Sequence, residues 1–478
     1  MKPPERRYHV LDKDLQRITV AESAQFHAFR PVLRLGAGIL LGVALIVLAL
    51  GITGQQPDLI AIGAGAIVAG WLGVSIGAND IANSLGPAVG AGAIALGPGL
   101  ILVGVAEIAG AVLAGHAVTH RLADGIVQVG LLDNGARAQV MMLAALIGAA
   151  AWITIATAAS LPVSTSHSIV GAIAGAGLTA AGTGALSWGG ILAIALAWVV
   201  TPFAAALLAG SLLALLRIRV AEAPDRGRAA KTWLPPLIGT MVGLFVTYVA
   251  TLLPVLSLRL PDALLPGAVA ALAVTVLIRR RLCQALPLAG EKPGMKHILR
   301  QPLLFAAVMM GFAHGAGDVG NVAGPLLVIL SPSQAGAAQV PPAMLALAGA
   351  AIALGAVLFG RRLVGMVSEG ITRLNPVRAF CITLATAMIV LVASGLGLPV
   401  SSTHVAVGGV FGVGFVREVL DRRSGARRAE LPVEERRRRM LIRRSHVATI
   451  TVAWIVTVPI TATLGALCCL AMLWVTGV

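Results

Sequence analysis

Two aspartates, Asp80 and Asp318, occupy near-copies of one motif: Gly77-Ala78-Asn79-Asp80-Ile81-Ala82-Asn83 and Gly315-Ala316-Gly317-Asp318-Val319-Gly320-Asn321. Each copy lies in a stretch too apolar for anything but membrane. An ionisable side chain at that depth is costly, and by default it marks a path for an ion or substrate. The carboxylate and amide oxygens of Asn79, Asp80, Asn83, Asp318 and Asn321 are hard ligands of the kind Na⁺ prefers, and a proton on an aspartate would neutralise the site in the same way. A second pair of segments carries hydroxyls, Pro162-Val163-Ser164-Thr165-Ser166-His167 and Pro399-Val400-Ser401-Ser402-Thr403-His404. Proline suits a helix start, and Ser164, Thr165, Ser166, Ser401, Ser402 and Thr403 can cap or line the first turns, so two positive helix ends could hold one tetrahedral oxyanion. Either cluster alone would read as hydroxyls bonded to their own helices; the duplication favours a binding site. His167 and His404 read as hydrogen-bonded structural residues. A bare carboxylate repels an oxyanion strongly in a low dielectric. The anion therefore enters with Na⁺ or H⁺, which is the physical basis of symport.

The copies keep register. Asp80 and Asp318 are 238 positions apart, as are Asn83 and Asn321, Gly86 and Gly324, and Pro87 and Pro325, while the hydroxyl segments recur at 237. Duplicated transporter folds show this kind of internal symmetry and place the site near the membrane midplane between repeats. Gly and Pro interrupt helical hydrogen bonding, so each landmark is expected to be a broken or re-entrant helix.

The elements that must position these groups are membrane helices. The chain has 478 residues, 58% hydrophobic and only 12% charged, with a mean hydropathy of +0.91. Spanning a bilayer takes about 20 apolar residues. Segments 35–53, 59–76, 98–118, 138–159, 188–216, 234–256, 262–278, 302–313, 343–360, 376–397 and 447–475 read as helical, the short ones stopping partway. The fold class is an all-α, polytopic helical bundle with two repeats. The 56 glycines let helix backbones approach closely.

The net charge of +16 comes from short polar segments between apolar runs. It follows the positive-inside rule and excludes nucleic acid as the partner. Lys2, Arg6, Arg7, Lys13, Arg17, Arg30 and Arg34 place the N-terminal arm in the cytoplasm, without the pattern of a cleaved signal. Arg417 to Arg444 holds eleven arginines against five acids and should touch anionic lipid on the same face, joined there by basic segments at 217–231 and 279–300. The expected order is a basic arm (1–34), an added helix (35–58), a first repeat (59–216), inter-repeat loops and helices (217–301), the core of the second repeat (302–416), an Arg-rich loop (417–446) and a last helix (447–478). The cysteines Cys283, Cys381, Cys468 and Cys469 have no metal-ligand spacing, and no redox cofactor is indicated. Glu107, in an apolar run, reads as a buried hydrogen-bonding residue, with proton coupling as the alternative.

These segments resemble the inorganic phosphate transporter (PiT) family, whose members carry a duplicated Gly-Ala-Asn-Asp-Val-Ala-Asn-Ala signature and a Pro-Val-Ser-Thr-Thr-His element. The first signature differs only by Ile81 for Val within residues 77–83, and the second element is matched at 162–167 and 399–404. The resemblance runs from about residue 59 to 475. It implies inverted repeats, alternating access at a midplane site, a homodimer, and a multi-pass protein of the plasma (inner) membrane. It also implies that Asp80, Asn83, Asp318 and Asn321 serve the ion and phosphate centre and that the six hydroxyl residues form the phosphate cradle. Gly317 stands where the family has Asn and Gly320 where it has Ala, which leaves Na⁺ or H⁺ coupling open. Phosphate keeps a proton near neutral pH and can donate to a carboxylate, whereas sulfate cannot; retained acids favour phosphate over the sulfate permease alternative. A membrane enzyme acting on phospholipid explains less, since no Arg or metal cluster accompanies the histidines, and a passive anion channel is the remaining class. The chain is read as a transporter, not an enzyme.

Overall fold

The computed structural model describes residues 36, 58–132, 134–158, 163–253, 258–285, 298–332, 339–370, 375–423 and 444–478. The N-terminal arm, nearly all of the added helix at 35–58, Pro162, Lys292, Lys296 and most of the Arg-rich loop lie outside the described residues. Among the described residues thirteen α-helices follow one another: α1 (Asp58–Gly90), α2 (Leu96–Ala114), α3 (His116–Asp124), α4 (Gly135–Ala158), α5 (Thr165–Ala181), α6 (Trp188–Leu216), α7 (Arg226–Leu252), α8 (Leu260–Ala285), α9 (Arg300–Leu330), α10 (Pro342–Gly370), α11 (Pro376–Gly395), α12 (Ser402–Arg423) and α13 (Arg444–Thr476). Eleven segments among the described residues are long and apolar enough to cross a membrane.

The two landmark types behave differently. The hydroxyl segments do mark helix starts, with α5 beginning at Thr165 and α12 at Ser402. The Asp motifs, expected to break their helices, lie inside the continuous helices α1 and α9, which contain Pro87 and Pro325. The spans expected to end at 76 and 313 therefore run to Gly90 and Leu330. A proline removes a single helical hydrogen bond, and the packed neighbours of a buried helix keep the rest intact. The carbonyls that Pro87 and Pro325 cannot serve are four residues back, on Asn83 and Asn321, the last residues of the two motifs.

Close backbone approaches define how the halves interlock. A Cβ on Gly77 would strike the Ile352 carbonyl of α10, and one on Gly315 the Glu107 carbonyl of α2; in return Gly355 abuts Val74, and Gly110 abuts Phe312. The members of these contacts are related by shifts of 238 (77 to 315, 74 to 312) and 245 (107 to 352, 110 to 355). Each Asp helix thus packs on a helix of the other half. A second exchange follows: Gly175 of α5 meets Ala462 of α13, and Gly412 of α12 meets Ala206 of α6. In both exchanges, glycine permits a crossing that a side chain would prevent.

The second exchange reveals a repeat not visible from the landmarks. Ala197-Trp198-Val199-Val200-Thr201 on α6 returns as Ala453-Trp454-Ile455-Val456-Thr457 on α13, a shift of 256. The outward faces of α6 and α8 are apolar, with Phe203, Leu207 and Leu265 more than 70% exposed, as lipid contact requires. Arg217, at the end of α6, pairs with Asp421 near the end of α12 at 2.7 Å, so two of the basic segments lie on one side of the bundle.

Candidate functional site

Asp80 on α1 is where the repeats meet. The Thr165 hydroxyl, from the first residue of α5, lies 3.5 Å from Asp80 Oδ2, and the Thr403 hydroxyl, from the first turn of α12, lies 3.4 Å from Oδ1. Asn83 Nδ2 donates to Thr403 Oγ1 at 2.8 Å, and Asn79 Nδ2 approaches Asp80 Oδ1 at 3.4 Å. Hydroxyl–carboxylate bonds are usually near 2.7–2.8 Å; Asp80 is approached from three elements without being tightly held. The carboxylate is buried, while Asn79, Asn83 and Thr403 are only partly so.

Asp318 on α9 has a different environment. Its Oδ1 accepts from Asn321 Nδ2 at 2.9 Å, and its Oδ2 lies 2.9 Å from His314 Nε2. The same Nε2 is 3.7 Å from Asp80 Oδ2, and Nδ1 is 2.8 Å from Glu107 Oε1 on α2. Asp80, His314 and Asp318 offer ligand atoms all within 4.8 Å of one another. At that separation two ionised carboxylates repel by about 3–4 kcal/mol at an effective dielectric near 20. No Lys or Arg is buried among the described residues, so a mobile cation, a shared proton or the imidazole must offset that repulsion.

The hydroxyls divide by role. Ser164 Oγ caps α5, accepting from the His167 N–H at 3.2 Å and contacting His167 Nδ1 at 2.8 Å. Ser401 Oγ accepts from the His404 N–H at 3.4 Å, and Ser166 Oγ donates across the repeat boundary to the Val400 carbonyl at 3.1 Å. Ser402 is buried at the start of α12. Only Thr165 and Thr403 of the six reach an aspartate by a hydrogen bond among the described residues. Of the expected set, Asn79, Asn83, Thr165 and Thr403 gather at Asp80 and Asn321 at Asp318, while none of the four serines is hydrogen-bonded to either aspartate among the described residues.

Two members were not placed by sequence reasoning. His314 stands four residues before Asp318 and so on the same helix face, the one local signal in the sequence that points to it. Glu107 is the buried hydrogen-bonding residue its apolar run suggests, and its partner is His314, 207 positions away. Under the register shifts above, the counterparts of His314 and Glu107 are Ile76 and Ile352, both fully buried. One crossing is apolar, and the other carries an acid–imidazole pair. The two departures in the second motif also separate. A Cβ on Gly320 would lie 2.6 Å from Val118 Cγ1 and 3.1 Å from the Thr119 nitrogen, because α3 packs there, whereas one on Gly317 would meet only Ser394 Oγ at 3.1 Å and Val390 Cγ1 at 3.7 Å. Packing accounts for Gly320; at Gly317 only a rotatable hydroxyl stands close to an added methyl.

Comparison with known proteins agrees with this architecture. A model of the phosphate transporter family matches residues 76–465. The chain is 36% identical over 430 residues to a Helicobacter pylori protein named "Putative phosphate permease", covering 87% of this chain and 80% of that one. It is 32% identical over 432 residues to "Inorganic phosphate transporter 2-1, chloroplastic" of Arabidopsis thaliana, covering 83% and 70%. A solved structure described as "The sodium-dependent phosphate transporter" superposes with a TM-score of 0.77 at 29% identity, over 86% of this chain and 99% of that one. The duplicated motifs, the multi-pass helical fold and these matches lead to one conclusion: the chain belongs to the phosphate transporter family.

Proposed function

We propose that the protein carries inorganic phosphate across the membrane together with Na⁺ or H⁺, by alternating access at the site where Asp80 meets the starts of α5 and α12. The observation that carries this reading is the convergence of Thr165 and Thr403, one from each repeat, on a single buried carboxylate. The N–H groups of two helix starts suit the ionised oxygens of phosphate. Its remaining O–H can donate to Asp80, an interaction sulfate cannot make, and a cation beside Asp80 and Asp318 offsets the repulsion between acids and anion. The names carried by the relatives and by the solved structure support phosphate as the substrate. On this reading the protein lies in the plasma (inner) membrane with its basic segments facing the cytoplasm.

The test is uptake of labelled phosphate into proteoliposomes under an inward Na⁺ gradient, an inward proton gradient or neither, with unlabelled sulfate as competitor. We expect accumulation under one gradient, resistance to sulfate, and loss of accumulation in Asp80→Asn, which keeps the shape and removes the charge. Phosphate movement that never exceeds equilibrium would point to a channel, and accumulation of sulfate instead would overturn the substrate assignment.

A further inference from the structure

Trp198, on α6, touches both anion-cradle segments. Its indole stacks on the His167 ring with centroids 3.7 Å apart and 21° between planes, and its Nε1–H donates to the Pro399 carbonyl at 2.8 Å. His167 belongs to the first turn of α5 and Pro399 to the non-helical segment leading into α12. We propose that Trp198 is a positioning residue that sets the spacing and orientation of the two helix starts, and through them the affinity for the anion. The proposal rests on the phosphate-transport reading and adds a determinant to it.

The physical case begins with the backbone before α12. A non-helical segment presents carbonyls as well as N–H groups, and a carbonyl dipole turned toward an anion repels it. Both carbonyls at this point are taken up elsewhere, Pro399 O by Trp198 and Val400 O by Ser166. Neither carbonyl then competes with the N–H groups at the start of α12, of which the His404 N–H is already bonded to Ser401 Oγ. On the other side, the indole face fixes the His167 ring. The ring in turn meets Ser164 Oγ, the cap of α5, at 2.8 Å, and lies 4.6 Å from the His404 ring of the opposite cradle. One side chain thus orients a cap in the first repeat and a backbone carbonyl in the second.

The N–H of a partly buried tryptophan usually finds a partner; what is particular here is that the partner and the ring it stacks on belong to different repeats. Duplication points the same way. The Ala-Trp-x-Val-Thr segment recurs on α13, the helix that packs on α5 as α6 packs on α12.

The experiment measures phosphate uptake as a function of phosphate concentration in proteoliposomes containing the full chain, comparing the native protein with Trp198→Phe and Trp198→Leu. Phe keeps a stacking ring and removes the donor; Leu removes both. Loss of one buried hydrogen bond corresponds to about a fivefold rise in KM for Trp198→Phe, and a larger rise is expected for Trp198→Leu. Maximal rate per folded transporter should stay within about twofold, the pattern of lost ground-state binding. A space-filling role would lower the amount of folded protein or the maximal rate and leave KM where it was. An unchanged KM in Trp198→Phe overturns the proposal, and that variant decides the matter if Trp198→Leu does not fold. Native protein that accumulates no phosphate under any gradient overturns the transport reading and this proposal with it; active native protein with unaltered KM in Trp198→Phe overturns this proposal alone.

Discussion

Replacing Gly315, Gly317 and Gly320 one at a time by alanine should give a graded series, because the three sit within one and a half turns of α9 yet face different neighbours. In an unobstructed helix each change would stabilise by about 1 kcal/mol. At Gly317 the new methyl meets Ser394 Oγ at 3.1 Å and Val390 Cγ1 at 3.7 Å. A serine hydroxyl can rotate, so the net effect should be near zero or slightly stabilising. At Gly320 the methyl lies 2.6 Å from Val118 Cγ1 and 3.0 Å from the Val118 carbonyl carbon. The backbone of α3 must then yield, and overpacking of about 1–3 kcal/mol outweighs the helical gain. At Gly315 it would strike the Glu107 backbone carbonyl, forcing α2 and α9 apart and pulling Glu107 from His314. That loss should lie at or above the top of the same range. The assay is the fraction of monodisperse protein recovered in detergent after graded heating. The expected order of recovery is Gly317→Ala, then Gly320→Ala, then Gly315→Ala. Equal losses at all three positions, or a harmless Gly315→Ala, would refute the account of how the halves interlock.

Three further outcomes follow from the site. His314→Ile alone leaves the buried Glu107 carboxyl without its 2.8 Å partner and should cost about 3–5 kcal/mol; adding Glu107→Ile, which copies the apolar Ile76 and Ile352 crossing, should recover much of the folded yield but not transport, and a double variant no better folded than the single would contradict the equivalence of the crossings. Gly317→Asn should raise the Na⁺ sensitivity of phosphate uptake by supplying beside Asp318 the amide that Asn79 supplies beside Asp80, and a response to Na⁺ identical to the native protein would remove the amide from the list of ion ligands. Asn83→Ala removes the 2.8 Å donor to Thr403; it should raise KM for phosphate about two- to tenfold, measured in the same uptake assay, with an unchanged KM arguing against Thr403 as part of the cradle.

Much of the candidate site was legible because it is written twice. Asp80, Asn83, Asp318, Asn321 and the two hydroxyl clusters share a register, and repetition separates function from packing where a single serine or aspartate cannot. His314 was not legible in this way: its counterpart is Ile76, so the repeat comparison passes over it, and its partner Glu107 lies 207 residues away. The breaks expected at Gly and Pro failed in α1 and α9 for a related reason. Whether a membrane helix survives a proline depends on what packs around it, and these two helices are buried against the opposite repeat.

Sequence alone determined the class of molecule, the presence of two repeats and the residue types at the site, because hydropathy, duplication and side-chain chemistry are properties of the chain itself. Tertiary structure decided which acid meets the hydroxyls of Thr165 and Thr403 and which lies nearer the imidazole, which serines cap their helices, and that Trp198 contacts both hydroxyl segments. Those assignments depend on the exchanged crossings of α1 with α10, α2 with α9, α5 with α13 and α6 with α12. Distances of a few ångströms between residues hundreds of positions apart are set by the packing of whole helices, and no local pattern records them.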